Sequence, residues 1–378
     1  MMTRLQRLIL TDFRNYTRLV WEPSRSPIVL TGDNGSGKTN LLEGLSLLVP
    51  GRGLRGARNA DLPLRAPDGT PASAGGWGVT AKFSDTNGSF EVATGMEAGR
   101  DGGARRFLLD GVALRGRGAI AEYLSAVWLT PQMDRLFGES TSGRRRFLDR
   151  LVVSMTPHHA RELAACERAT AQRNKMLGVG QVDDIWLAAI EDAMARHGVA
   201  VVAARRDLVA QLNRTGADPR GAFPSAELSL VCAIAQRLEE EPALAVEDWL
   251  RQQLRANRAL DRARGLATLG ANRTDFALHD RETARNAAEA STGQQKTLLI
   301  GIILAHARLM GAGGHVPPML LLDEPLVHLD TRRREALLET LLDFSTPVLL
   351  TGTDREPFAP LENRAAFVHL EDGRLKEE

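Results

Sequence analysis

Cysteine is nearly absent: Cys166 and Cys232 are the only two in 378 residues. Two thiols so far apart give neither a metal-ligand spacing nor a disulfide framework, which excludes a zinc-built fold and a disulfide-stapled secreted domain. A reducing cytoplasm is the expected compartment. Long apolar runs are also lacking. The best, Thr297 to Ala307, is interrupted by Gly301 and His306 and stops at Arg308, short of the roughly 20 residues that cross a bilayer. No membrane association is expected. The opening segment MMTRLQRLILTDFRNY scatters charges through short apolar stretches, which is not a secretory signal. Lysine is scarce, with Lys38, Lys82, Lys175, Lys296 and Lys376 the only ones. Genome base composition is the plain account of the arginine bias, and it makes a lysine inside a motif more informative. Neither charge is in excess: 48 basic residues against 47 acidic leave +1. Composition therefore does not mark a nucleic-acid binder, and any affinity for phosphate must come from local patches. No internal repeat, low-complexity tract or extended heptad run is found.

What is present reads as an ordinary globular chain, 43% hydrophobic and 25% charged, with room for two domain-sized units. Short apolar runs at Leu5 to Thr11 and Pro27 to Thr31 predict strands, and Leu41, Leu42, Leu45 and Leu48 predict a helix over Asn40 to Leu48. Residues 51 to 76 read as irregular loop. A small meander is expected over Gly78 to Phe83, Ser89 to Thr94 and Arg106 to Leu109, turning at Asp110-Gly111, and another strand at Val127 to Thr130. The middle changes to helical periodicity over 157 to 178 and 183 to 213, separated by a Gly-Val-Gly break. In the second stretch Trp186, Ile190, Ala193, His197, Val201, Ala204, Leu208 and Leu212 mark one face. These two helices suggest a short antiparallel arm. A Gly/Pro-rich loop at 216 to 224, a strand at Glu227 to Ala233 and a helix over 246 to 263 follow. After Ser291 strands and helices alternate again: Met319 to Asp323, a helix over 331 to 343, Pro347 to Thr351, and Phe367 to Glu371 before Asp372-Gly373. The expected fold is α/β, with one lobe built from residues 1–130 and 300–378. A mainly helical insert, residues 131–299, is expected to carry the short arm.

Gly32-Asp33-Asn34-Gly35-Ser36-Gly37-Lys38-Thr39 fits GxxxxGK[ST] in full, after a strand and before a helix. Glycines let backbone N–H groups wrap phosphates, and the helix N-terminus adds partial positive charge. Lys38 would reach the β- and γ-phosphates of ATP and Thr39 would ligate Mg²⁺. In Met319-Leu320-Leu321-Leu322-Asp323-Glu324 a buried strand would deliver Asp323 to that metal, with Glu324 placed to orient an attacking water. About thirty residues earlier, Ser291-Thr292-Gly293-Gln294-Gln295-Lys296 opens an apolar helix. Each piece has a plainer reading alone: a chance glycine turn, a helix cap after a strand, an N-cap serine. Their order along the chain decides between the readings.

That order resembles the ABC/SMC-like head ATPases, with Ser291, Gly293 and Gln294 in the signature sequence and Leu329-Asp330 in the D-loop. The resemblance implies a homodimer formed head to tail around two ATP molecules, the signature of each copy completing the other's site. Gln132, after the strand Val127 to Thr130, stands where a Q-loop glutamine would reach Mg²⁺ or the water. The family's switch histidine is replaced by Thr353 in Val348 to Asp354, VLLTGTD, which implies slow hydrolysis or a weaker γ-phosphate sensor. Nearly the whole chain is similar to the RecF family. The similarity is carried by Leu10-Thr11-Asp12-Phe13-Arg14-Asn15-Tyr16, by Lys38 to Glu43, by Gly51-Arg52-Gly53-Leu54-Arg55, by Arg144-Arg145-Arg146-Phe147-Leu148-Asp149, by Gln172 to Leu177 and by Trp186. At Gly270 to Phe276 the chain reads GANRTDF, where the family tends to a histidine and paired acids.

The resemblance implies ATP-dependent binding to gapped or single-strand/duplex junction DNA, working with RecO and RecR to load RecA and so feed the SOS response. Arg52, Arg55 and Arg58, and separately Arg144, Arg145 and Arg146, are clusters able to meet phosphates. They suit salt bridges or a solvated face equally well. An SMC/Rad50-like structural ATPase that tethers DNA is the alternative, against which stand the short insert and the lack of a CxxC hook. An ABC transporter subunit would lack the helical insert and keep the histidine.

Overall fold

The computed structural model describes residues 3–66, 68–70, 72, 76–97, 105–115, 118–138, 140–178, 183–215, 223–371 and 373–377. The chain divides into two compact units. The first is Met1–Asp134, Ala217–Pro224 and Thr292–Glu378; the second is Arg135–Gly216 and Ser225–Ser291. The Gly-Val-Gly break beyond Gly178, most of the expected loop at 216–224 and part of the loop at 51–76 lie outside the described residues.

The first unit holds two sheets. Strands β1 (Arg4–Phe13), β2 (Tyr16–Trp21), β4 (Trp77–Asp85), β5 (Gly88–Met96), β6 (Arg106–Leu109) and β7 (Val112–Ala113) form an antiparallel sheet in the order β2-β1-β4-β5-β6-β7. In β1 the buried residues Leu5, Leu8, Leu10 and Phe13 do not keep a strict period of two. A register shift between Leu5 and Arg7 absorbs the extra residue of the first three-residue step, and Asp12, at a left-handed φ of 47°, lies in the second. The second sheet has the order β14-β13-β3-β12-β11-β8, with β3 (Ile28–Thr31), β8 (Ala126–Leu129), β11 (Met319–Leu322), β12 (Val348–Thr351), β13 (Ala366–Glu371) and β14 (Arg374–Glu377). Four of its strands, β3, β8, β11 and β12, read IVLT, AVWL, MLLL and VLLT and are buried at every position, as a parallel sheet covered on both faces requires. The edge strand β14, which the sequence reading does not contain, folds back antiparallel on β13 and pairs Leu375 with Leu370.

Helix α1 (Lys38–Ser46) touches strands of both sheets and buries Leu41, Leu42 and Leu45 completely. Helix α8 (Thr292–Ala312) packs on β8. Its residues Leu298, Leu299, Ile302 and Ile303 join the buried interior of this unit, which is why the unit begins at Thr292 rather than near 300. Helix α9 (Thr331–Leu341) is capped by the Asp330 carboxylate, which accepts from the Arg333 N–H at 2.9 Å. Because β13, β3, β12, β11 and β8 run parallel, their carboxyl ends meet at one edge, where open α/β sheets bind ligands.

The second unit is helical, with α2 (Thr141–Met155), α3 (His159–Gly178), α4 (Asp184–Thr215), α5 (Ala233–Glu240), α6 (Ala243–Ala256), α7 (Arg258–Arg264) and one antiparallel pair, β9 (Ala226–Val231) with β10 (Asp275–Asp280). Helices α3 and α4 are antiparallel: Arg173 meets Glu191 at 3.0 Å and Glu162 meets His197 at 2.7 Å. They do not stand alone as an arm, since Ile190, Met194, Val199 and Val202 of α4 share a core with Ile234 of α5 and Leu250 and Leu254 of α6. Packing on several sides widens the buried surface of α4 beyond the single stripe read from the sequence. Trp186, expected on that stripe, lies in the first turn and is 63% exposed, while Leu187 is buried instead. The helix expected over 246–263 breaks at Asn257 into α6 and α7.

Buried ions hold this unit. Asp149 accepts from Arg205 Nε and Nη2 at 2.7 and 2.8 Å and lies 2.9 Å from His159 Nε2. Burial by itself would raise the Asp149 carboxyl, but the hydrogen bonds from His159 and Arg205 hold it below the usual carboxylate range. Removing one member of a buried pair strands its partner, so Asp149→Ala should cost about 3–5 kcal/mol, read from urea unfolding at pH 7. Because the folded carboxyl is depressed, the wild-type advantage is fully present above the unfolded value near 4 and should shrink as pH falls through the folded value. A loss under about 1 kcal/mol at pH 7 would show that the cluster contributes no more than a surface pair.

Candidate nucleotide site

The loop Gly32 to Gly37 joins β3 to α1 at the carboxyl edge of the parallel sheet. Gly32, Gly35 and Gly37 take positive φ values of 137°, 89° and 115°, which turn the loop back on itself into a cradle. At Gly37 the crowding is also external, because an added Cβ would lie 2.5 Å from the Tyr16 hydroxyl and 2.7 Å from Asn15 Nδ2. Tyr16 donates to the Gly37 carbonyl at 3.1 Å and Asn15 to the Ser36 carbonyl at 3.4 Å. The segment Phe13-Arg14-Asn15-Tyr16, identified in the sequence only by resemblance, thus braces the loop from outside. Burial pushes the Tyr16 hydroxyl well above its ordinary range, so it remains a donor.

Lys38 is buried, and its Nζ donates to the Gly32 and Asp33 carbonyls at 2.5 and 2.8 Å. Burial lowers its pKa, opposed by the charges of Glu324, Asp323 and Asp33. Asp33, Asn34 and Gly35 are exposed at the mouth of the loop, with Ser36 partly covered. The Thr39 hydroxyl is 3.0 Å from both Asp323 carboxylate oxygens. A hydroxyl and a carboxylate converging there are hard oxygen donors of the kind Mg²⁺ takes while keeping several waters.

Asp323 follows β11, and its N–H donates to the Leu129 carbonyl of β8 at 3.0 Å. Glu324 takes a left-handed φ of 49°. Between β3 and β11 stands Thr351, the last residue of β12, which belongs to none of the sequence motifs. Its hydroxyl donates to Asp323 Oδ1 at 2.8 Å and accepts the Glu324 N–H at 2.9 Å. The signal for it was its place at the carboxyl end of the strand between the two motif strands. Gln132 is exposed in the short helical turn after β8, the strand paired with β11. Thr353 is exposed and donates to Asp354 Oδ2 at 2.7 Å. Ser291 directly precedes α8, with Gly293 and Gln294 in its first turn; Ser291 and Gln294 are exposed.

The arginine clusters separate by partner. Arg55 donates to Asn40 Oδ1 at 2.6 Å and to Glu43 at 3.2 Å; Arg14 grips the same buried Glu43 through two bonds of 2.8 and 2.7 Å. Arg58 pairs with Asp61 at 3.0 Å. Arg144 binds Asp275 through two 2.8 Å bonds, which gives a structural role to the GANRTDF segment. Arg145 donates to the Thr274 carbonyl at 3.0 Å and lines, with Arg146 and Arg205, a cleft of about 380 Å³ within the second unit. Burial lowers the Arg145 pKa, with the Arg205 charge adding to it and Asp275 and Asp149 opposing it; Asp149 and Glu167 line the same cleft. Arg52 and Arg146 are exposed.

Residues 4–367 match the family described as RecF/RecN/SMC N terminal domain. The DNA replication and repair protein RecF of Rhizobium etli is 43% identical over 98% of this chain and 98% of its own length. Among solved structures, the recombination mediator protein RecF with ATPrS superposes with a TM-score of 0.84 at 20% identity, over 100% of this chain and 98% of that one. The Smc head domain of Pyrococcus furiosus gives 0.54 at 13% identity, over 100% and 96%. The fold is thus that of RecF and, more distantly, of SMC heads, and sequence similarity along almost its whole length shows that the chain belongs to the RecF family.

Proposed function

We propose that this chain is an ATP-dependent DNA-binding recombination mediator that dimerises around ATP on gapped or junction DNA. The observation that carries the reading is the convergence of Lys38, Thr39, Asp323 and Glu324 at the carboxyl edge of one parallel sheet. ATP would lie in the Gly32 to Gly37 cradle, with Lys38 exchanging its two carbonyl acceptors for phosphate oxygens. Thr39 and Asp323, with Gln132 alongside, would hold Mg²⁺, which neutralises phosphate charge when bound. Glu324 would orient the attacking water. With Thr353 replacing a histidine, hydrolysis would be slow and would serve as a switch on DNA binding.

Ser291, Gly293 and Gln294 would meet the γ-phosphate held by a second copy, using the α8 N-terminus. For DNA, Arg52, Arg145 and Arg146 are the better candidates, because Arg55, Arg58 and Arg144 already have acidic partners. Its relatives' role in replication and repair and the RecFOR pathway of the solved homologue support RecR and RecO as partners. RecA loading and the SOS response would then be the downstream outcome. No described helix is long and apolar enough to cross a membrane, and the cytoplasm is the compartment this role requires. A DNA tether of SMC type is disfavoured by an insert that folds as a packed bundle.

Binding to gapped, single-stranded and blunt duplex DNA, with and without ATP, tests the reading. ATP should strengthen binding to the gapped substrate most; equal binding to all three regardless of ATP would refute it. Ser291→Arg should leave nucleotide binding to the monomer intact while blocking the ATP-driven dimer in light scattering, since a bulky cation would fill the γ-phosphate contact. A normal dimer would reduce Ser291 to a helix cap.

A further inference from the structure

Lys296 is a buried lysine that the nucleotide reading leaves unused. It stands in α8, three residues beyond Gly293, and is 1% exposed. Its Nζ donates to Asp134 Oδ2 at 3.1 Å and to the main-chain carbonyl of Glu324 at 3.0 Å. An ammonium so thoroughly removed from water is costly unless it is paired and hydrogen-bonded. The second Asp134 oxygen is buried without a hydrogen-bond partner, so the pair is not an optimised stability device.

What this arrangement does secure is one peptide unit. Glu324 lies in left-handed backbone, a conformation that costs a residue with a Cβ roughly 1–3 kcal/mol and persists only where its surroundings enforce it. Two side chains enforce it here. Thr351 takes the Glu324 N–H, and Lys296 takes the Glu324 carbonyl. Thr351 also holds Asp323, so the two acids are fixed relative to each other as well as to the sheet. Meanwhile Gly293, one turn before Lys296, passes so close to the segment after the acids that an added Cβ would lie 2.9 Å from the His328 carbonyl.

We infer that Lys296 is a positioning residue for hydrolysis, holding the backbone of Glu324 from α8, the helix whose first turn would face the nucleotide of a second copy. The inference rests on the proposed ATPase reading. Contact at the first turn of α8 then bears on hydrolysis in the same chain through Lys296, with no contact between Lys296 and ATP.

The test uses the full chain with Lys296→Met, Lys296→Arg, the double substitution Lys296→Met with Asp134→Leu, and Glu324→Gln as reference. Steady-state hydrolysis gives kcat and KM, calorimetry gives ATP affinity, and thermal unfolding reports the fold. Lys296→Met should lose about 10- to 100-fold in kcat, the scale of a misplaced reacting group, with KM and ATP affinity within about threefold. The double variant no longer buries an unpaired charge and should regain thermal stability while keeping the low kcat. Lys296→Arg, which still donates to both acceptors, should recover part of the rate. Wild-type kcat in the double variant would overturn the inference, leaving Lys296 as a counter-charge only. So would a Lys296→Met loss matched by an equal loss of ATP affinity. Normal hydrolysis by Lys296→Met beside an inactive Glu324→Gln overturns the inference alone. Normal hydrolysis by Glu324→Gln overturns the role proposed for Glu324 and the inference with it, while ATP binding at Lys38 stands or falls separately.

Discussion

Glu324→Gln should bind ATP as tightly as the wild type, form the ATP dimer, and hydrolyse roughly 10²–10⁴-fold more slowly, the range spanned by a positioned acid or base. The substitution keeps size and polarity and removes only the negative charge. It leaves Lys38, Thr39 and Asp323 to hold nucleotide and metal. The backbone bonds to Thr351 and Lys296 use the Glu324 peptide rather than its side chain, so they survive the change. If the closed dimer is the DNA-binding state, this variant should hold gapped DNA longer than the wild type in ATP. That hold should weaken steeply with salt, because arginine–phosphate contacts release counterions. Dissociation rates for both proteins on a gapped duplex across a salt series give the answer. Equal or faster release by Glu324→Gln, with ATP binding confirmed, would separate the ATPase cycle from DNA retention.

Lys38→Met should act at the earlier step and weaken ATP itself. The lysine is sequestered by burial and by three nearby acids, and its ammonium already makes two hydrogen bonds to loop carbonyls. Arriving phosphates would meet a desolvated, pre-placed cation. Truncating one member of such a buried charge contact costs about 2–5 kcal/mol, which is about 30-fold to several thousand-fold in Kd at 1.4 kcal/mol per decade. Methionine covers the aliphatic stem, so the fold should stand, as an unchanged circular dichroism spectrum would show. Calorimetry with ATP decides: near-wild-type affinity would remove Lys38 from the phosphate site. The pair of variants separates binding from hydrolysis, since Lys38→Met should abolish the ATP dimer that Glu324→Gln preserves.

Some of this protein could be read residue by residue because the physics is local. A strand buried on both faces must be apolar throughout, so Met319 to Leu322 and Val348 to Thr351 announce themselves. A loop that offers its amides to phosphate needs glycine where φ is positive, and Gly32, Gly35 and Gly37 stand there. Amphipathic spacing placed α1, α3, α4 and α9 to within a few residues. Short or edge elements such as β2, β7, β10, β14 and α5 carry weaker periods and escape a reading of spacing, as does the 15-residue α2. The phase of Trp186 failed because a helix packed on several sides has no single buried stripe.

By itself, then, the sequence determined the phosphate loop, the acid-tipped strand and the α/β alternation, since each depends on neighbours along the chain. Only tertiary structure decided which polar side chains meet. Arg144 finds Asp275 across 131 positions, Lys296 finds Asp134 across 162, and Thr39 finds Asp323 across 284. Spacing along the chain does not encode such partners. A buried charge takes whichever opposite group the packed fold brings within hydrogen-bond reach, because leaving it unpaired costs more than the fold can lose. The same rule pairs the partly buried Arg144 with Asp275 and brings Arg55 to the buried Glu43. It also made Thr351, an unremarked strand end, the residue that joins the two acids.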